Sequence, residues 1–137
     1  MVETTASRSR VMRTIKSENT TPELIVRRIT HRNGYRYRLH RKDLPGRPDL
    51  AFPGRRKVIF VHGCFWHGHN CRRGARIPKS NTHYWKNKIY QNIKRDRQAV
   101  KLLEDDGWMT LVLWECELKD QETLAVIIDD FLRDYAS

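Results

Sequence analysis

Twelve residues, Phe60 to Cys71, read FVHGCFWHGHNC and constrain this chain more than any other stretch. Two cysteines, three histidines and a Phe-Trp pair follow directly on a short apolar run, with Gly63 and Gly68 set among them. An ordinary core segment has no need of that mixture; buried thiols and incidental histidines explain neither the clustering nor the glycines. Cys64, His69 and Cys71 form a C-x4-H-x-C cluster, soft thiolates and an imidazole at a spacing that a tight loop can wrap around one ion. A structural zinc takes four such ligands in a closed tetrahedron. The chain contains only one other cysteine, Cys116, so the expected zinc set is Cys64, His69, Cys71 and Cys116. A competing assignment puts His67 in place of His69, and spacing favours His69 only modestly.

A chain of 137 residues is one domain's worth and can bury a real core. It has no run of some 18 apolar residues, so no membrane span is expected. The opening residues, MVETTASRSRVMR, lack the apolar run of a secretory signal. An odd number of cysteines in metal spacing argues for a reducing compartment over a disulfide framework. The expectation is a cytoplasmic, nucleoid-associated protein. The net charge of +11 is unevenly spread: residues 1–101 carry 25 Lys/Arg against 6 Asp/Glu, whereas residues 102–137 carry 2 against 10. A basic front with an acidic back suggests a side that faces a polyanion. A ribosomal or other non-enzymatic nucleic-acid binder would show the same balance, so charge alone leaves the function open.

Residues 1–20 are polar, with Arg8, Arg10, Arg13 and Lys16 interleaved with Val11, Met12 and Ile15. They read as a short helix or arm, or as a frayed terminus. Thr21-Pro22-Glu23 predicts a helix start, with Thr21 as the cap, and Gly34 a stop. Tyr35–Leu39 alternates apolar with basic residues and predicts a half-exposed strand. Leu44–Pro48 is a turn-rich connector, and Asp49–Phe52 and Lys57–His62 read as the second and third strands. Thr82 caps a long helix to about Asp106, with Ile89, Ile93, Val100 and Leu103 on its inner face. Trp108–Trp114 is a fourth strand, and a last helix runs from Gln121 to about Tyr135. The order αβββαβα predicts one α/β domain, a mixed four- to five-stranded sheet flanked by helices on both faces. If the fourth strand lies beside the third, Cys116 reaches the cysteine loop.

Asp49 begins one strand and His62 ends the next, so a hairpin brings both to one sheet edge. An aspartate there is a hard oxygen ligand suited to Mg²⁺, although a single Asp after Pro is also an ordinary turn residue. His62 and His67 are not needed for zinc, and either can act as a general acid or base near neutral pH. Phe65, Trp66 and Trp85 are either core plugs or wedges that enter DNA between base pairs.

The runs Leu44–Asp49 (LPGRPD), Val58–His67 (VIFVHGCFWH), Asn92–Asp96 (NIKRD) and Trp114–Cys116 (WEC) resemble the very short patch repair endonucleases over roughly residues 8–120. The resemblance implies a restriction-endonuclease-like PD-(D/E)XK core. It implies a Mg²⁺-dependent enzyme that nicks double-stranded DNA 5′ to the T of a T:G mismatch arising from 5-methylcytosine deamination. It places Asp49 on the catalytic metal, with the Val61 backbone carbonyl as a second metal contact, and makes His67 the catalytic histidine with His62 close by. Glu23 would help hold metal-bound water. The zinc set is again Cys64, His69, Cys71 and Cys116. Phe65, Trp66 and Trp85 would enter the DNA beside the mismatch, with Met12 wedging from the opposite groove. Residues 1–20 then become a DNA-contacting arm and residues 21–137 the endonuclease domain, acting as a monomer with possible DNA repair proteins as partners. Two departures stand out. Phe60-Val61-His62 supplies neither the acid nor the lysine of the broader superfamily, a degeneracy the repair family shares; and Val61 stands where members often have Thr. A zinc-stabilised nucleic-acid-binding module without catalysis, or a nuclease of different DNA specificity, are the alternatives.

Overall fold

The computed structural model describes residues 20–69, 71 and 79–133. Helix α1 (Thr21–Arg32) leads into strands β1 (Arg38–Leu39), β2 (Leu50–Phe52) and β3 (Lys57–His62). Helix α2 (Thr82–Asp105) then crosses to β4 (Met109–Trp114), a short 3-10 turn (Glu115–Glu117) and helix α3 (Gln121–Leu132). The expected element order is present. The sheet is mixed and four-stranded among the described residues, in chain order, with β1/β2 and β2/β3 antiparallel and β3/β4 parallel. Residues 1–19, including Met12 and nearly all of the expected arm, lie outside the described residues, as does Tyr135. Among the described residues, no helix is long and apolar enough to cross a membrane.

Strand alternation builds two cores. Leu50, Phe52, Ile59 and Leu113 face one way, where they meet Val26 and Ile29 of α1 and Leu124, Ile128 and Leu132 of α3. Ala51, Val58 and Phe60 face the other way, onto Leu103 of α2, Leu44 and Trp108. The period of two along each strand therefore gives a three-layer sandwich, as expected from strands carrying apolar residues on both faces. Each fully buried Leu or Ile contributes about 1.5–3 kcal/mol relative to exposure, so both faces of the sheet are firmly held.

Several boundaries differ from the expectation. Thr20, not Thr21, caps α1: its hydroxyl accepts from the Glu23 N–H at 3.3 Å, with Thr21 and Pro22 already helical. Asn81, in the left-handed region, precedes α2, while the Thr82 hydroxyl donates back to the Lys79 carbonyl at 2.8 Å. Helix α3 ends at Leu132 because Arg133 is extended. Strand β1 is only two residues long. Its pairing runs Arg38 to Ala51 and Leu39 to Leu50, and β2 ends at Phe52, so Tyr35 has no partner to pair with. Instead Tyr35 donates its hydroxyl to Asp129 at 2.7 Å and packs on the α1/α3 core with Tyr37.

This topology decides where chemistry can sit. The end of β1, the start of β2 and the ends of β3 and β4 all lie at one edge of the sheet, because β2 runs against β1 and β3 while β4 runs with β3. His62 of β3 is level with Trp114 of β4. His40, Asp49, the loop after His62 and Cys116 therefore open onto the same edge.

Candidate metal and acid–base site

Among the described residues, three groups of metal-capable side chains occupy that edge: Cys64, His69, Cys71 and Cys116; His62, His67 and Asp96; and Glu23, His40 and Asp49. Within each group the ligand atoms lie within 4.8 Å of one another.

The loop after β3 folds back on itself through the His67 N–H to the Gly63 carbonyl at 3.2 Å and the His69 N–H to the Cys64 carbonyl at 3.0 Å. Gly68 is left-handed at φ +63°, and a Cβ there would lie 2.6 Å from Ile93 Cδ1, so only glycine lets the loop settle on α2. Asn92 fastens it further by donating to the Trp66 carbonyl at 2.9 Å. The parallel β3/β4 pairing delivers Cys116 to the loop: its N–H donates to Cys64 Sγ at 3.4 Å, and its Sγ lies 3.5 Å from His69 Nδ1. His69 stacks on Trp114 with ring centroids 4.1 Å apart. His69, not His67, is the imidazole beside the cysteines. Burial pushes the Cys64 thiol up, to about 12, with the neighbouring thiols adding to the rise and the Cys116 N–H opposing it. A cation reverses that balance by favouring the thiolate. Three thiols and an imidazole so gathered are a donor set that fits one soft divalent ion.

His67 faces a different partner. Its Nδ1 lies 2.5 Å from Asp96 Oδ2 on α2, and its ring stacks on His62 at 3.8 Å with planes 2° apart. His62 is buried and its Nδ1 has no hydrogen-bond partner. Burial, reinforced by the nearby His67, pushes its pKa down to about 4, with Asp96 opposing. His62 is therefore neutral near pH 7.

The third group straddles α1 and the strand edge. Glu23, 1% exposed, is held by Arg27 and by His40 Nε2, 2.7 Å from its Oε1. Asp49 accepts from the Val61 N–H at 2.7 Å. Burial, then a hydrogen bond shared with Glu23, pushes the Asp49 carboxyl up to about 8, against the lowering effect of the Val61 N–H. Two carboxyls forced together out of water behave this way until a cation joins them.

Phe65, Trp66 and Trp85 form a partly exposed aromatic cluster, with centroid separations of 5.0, 5.7 and 5.8 Å. They cover neither core; they flank the open edge. Lys86, Lys88, Lys94, Arg95, Arg97 and Lys101 stand exposed along α2. Sequence reasoning gave no role to Asp96 or His40. A signal for Asp96 was available: Asn92 and Asp96, four apart, interrupt the face of α2 that otherwise carries Ile89, Ile93 and Val100. His40 offered none, since one histidine after a short strand looks like any surface residue.

Fold and site define an α/β domain with a thiol–imidazole cluster able to hold a metal, a buried carboxyl pair and a histidine–aspartate pair on one sheet edge beside a basic helix. Residues 2–73 match the family described as DNA mismatch endonuclease Vsr. The chain is 51% identical over 122 residues to a type II nicking enzyme of Xanthomonas oryzae pv. oryzae, covering 89% of each chain. It is 46% identical over 118 residues to a type II nicking enzyme of Neisseria meningitidis, covering 86% of this chain and 84% of that one. It is 40% identical over 119 residues to the DNA mismatch endonuclease Vsr of Escherichia coli, covering 87% of this chain and 76% of that one. The chain belongs to the Vsr endonuclease family.

Proposed function

We propose that this protein is a DNA mismatch endonuclease that nicks one strand 5′ to the T of a T:G mismatch by Mg²⁺-dependent phosphodiester hydrolysis. The observation that carries the reading is the convergence of a buried carboxylate pair, Asp49 with Glu23, and an aspartate-held histidine, His67, on one open edge flanked by cations and aromatics. A pure binding module has no use for carboxylates set among phosphates.

The Asp49 carboxylate and the Val61 backbone carbonyl would hold Mg²⁺, with Glu23 holding its water. When bound, the cation supplies charge neutralisation at the phosphate and a more acidic water. The protein's own groups divide the remaining work. In hydrolysis a water oxygen bonds to phosphorus, one ester P–O bond breaks, and a proton must reach the departing oxygen. Donation of the His67 Nδ1–H to Asp96 fixes the tautomer that leaves Nε2 as a base able to take the proton of the attacking water, while the departing oxygen takes its proton from solvent. His62, kept neutral by burial, packs the His67 ring in place and is the poorer proton carrier near pH 7. Cys64, His69, Cys71 and Cys116 would hold a structural Zn²⁺ that ties the loop to β4. Phe65, Trp66 and Trp85 would enter the duplex beside the mismatch, with Met12 of the arm opposite.

The test is to incubate purified protein with Mg²⁺ and end-labelled duplexes that differ only in one T:G or T:A pair, across varied flanking sequence. The expected result is a single-strand nick beside the T, confined to T:G duplexes and dependent on Mg²⁺. Cleavage of both duplexes would retain the nuclease and discard the mismatch specificity; binding with no nick in any context would leave only a binding module.

A further inference from the structure

His40 is not needed by the reading above, yet its imidazole is one of the three side chains that converge at the Asp49 site. The register that pairs Leu39 with Leu50 continues to His40 opposite Asp49, where the His40 N–H donates to the Asp49 carbonyl at 3.3 Å. Nε2 sits 2.7 Å from Glu23 Oε1, and the His40 side chain is 15% exposed. Glu23 does not depend on this contact alone, because Arg27 holds its Oε2. An imidazole released from Glu23 would therefore not strip that carboxylate of its partner.

We propose that His40 is a direct metal ligand, adding an imidazole to the Asp49 carboxylate and the Val61 carbonyl, so that the Asp49 site takes first-row transition cations such as Co²⁺ or Fe²⁺ more tightly than Mg²⁺. Carboxylates and carbonyls suit Mg²⁺, whereas an imidazole nitrogen adds little for that hard ion and much for the later first-row cations. Coordination by Nε2 takes the Nδ1–H tautomer: the ring proton that now faces Glu23 is given up at Nε2 and one is carried at Nδ1, so the coordinated ring stays neutral and keeps an N–H. The inference rests on the reading that Asp49 holds a divalent cation.

The test uses full-length protein saturated with one equivalent of Zn²⁺ and free of DNA. Calorimetric titration with Co²⁺ and with Mg²⁺ is paired with proton NMR of the Co²⁺ form, in which a coordinated imidazole shows a hyperfine-shifted exchangeable N–H resonance. The expected result is tighter binding of Co²⁺ than of Mg²⁺, with one such resonance. His40→Gln, which can still hydrogen-bond Glu23, should lose the resonance and the Co²⁺ preference while keeping its Mg²⁺ affinity within about twofold. Absence of the resonance from the native protein, or its survival in His40→Gln, overturns the proposal. Asp49→Asn separates the two readings. If it abolishes binding of both ions while His40→Gln changes nothing, only His40 falls; if it leaves both ions bound as before, the Asp49 reading falls with it.

Discussion

Asp96 Oδ2 lies 2.5 Å from His67 Nδ1, joining helix α2 to the loop after β3 across 29 residues of sequence. A carboxylate that accepts from one imidazole nitrogen sets which way the other nitrogen points and which tautomer it holds. Asp96→Asn keeps the shape and removes the charge, and it permits the wrong tautomer. The expected outcome is a single-turnover nicking rate lower by about 10²–10⁴-fold, with the dissociation constant for T:G duplex unchanged. Rate from quenched-flow and affinity from fluorescence anisotropy separate the two; equal loss of both would make Asp96 a folding residue.

The aromatic cluster can be tested apart from the chemistry. Trp85 touches both Phe65 and Trp66 but stands in the first turn of α2, away from either core. A base stacked on an aromatic ring contributes about 1–3 kcal/mol. Trp85→Ala is expected to weaken T:G duplex binding by about 5- to 150-fold while leaving the melting temperature within a few degrees. A large fall in melting temperature with unchanged affinity would make the cluster a core plug.

Much of this arrangement was legible in the sequence, for identifiable reasons. The four zinc-type ligands were readable because three crowd into eight residues and the chain has a single remaining cysteine. A mixed sheet followed from an apolar strand, a long amphipathic helix and a second apolar strand, while the place of the fourth strand beside the third stood only as a condition, which the parallel β3/β4 pair meets. What escaped were contacts made by the fold and not by local pattern. His40 reaches Glu23 only because β1 ends level with Asp49, and Asp96 reaches His67 only because Gly68 lets the loop lie against Ile89 and Ile93. Strand β1 was overread because alternation in Tyr35–Leu39 reports on burial, whereas its length is limited by the three residues of β2. Spacing favoured His69 over His67 only modestly, because which ring turns toward the thiols is a matter of orientation within one turn, and it is His69 that lies beside them.

The cysteine cluster makes a stability prediction. Its ligands join the loop after β3 to the end of β4, so a bound ion favours the folded state, where all four meet. An ion present at a thousand times its dissociation constant stabilises by about 4 kcal/mol. Cys116→Ser is expected to lower the melting temperature and to reduce bound zinc well below one equivalent by mass spectrometry. The αβ core away from that edge should persist, visible as unchanged far-ultraviolet circular dichroism at low temperature. Full zinc occupancy in Cys116→Ser would remove Cys116 from the ligand set.

The buried carboxyl at Asp49 predicts an unusual pH dependence for the Mg²⁺-free, zinc-loaded protein. Its folded pKa is raised to about 8 from the ordinary 3.8, so the folded state binds the extra proton between those limits. Its contribution to stability is full below about pH 4 and is lost as pH rises through about 8. His62 acts in the opposite sense. Its folded pKa is lowered to about 4 from 6.5, so its contribution is full above about pH 6.5 and is lost as pH falls towards 4. The two oppose each other between pH 4 and 6.5, and above pH 6.5 Asp49 acts alone. The melting temperature of the Mg²⁺-free protein is therefore expected to fall from pH 6.5 to 8, and Asp49→Asn should abolish that fall and be the more stable form at pH 8. Added Mg²⁺ should reverse the slope for the native protein only, because the cation competes with the proton for the same carboxylate. Melting curves at several pH values, with and without Mg²⁺, measure all of this. A flat profile for both proteins would mean that Asp49 is ionised without a cation, held by the Val61 N–H alone.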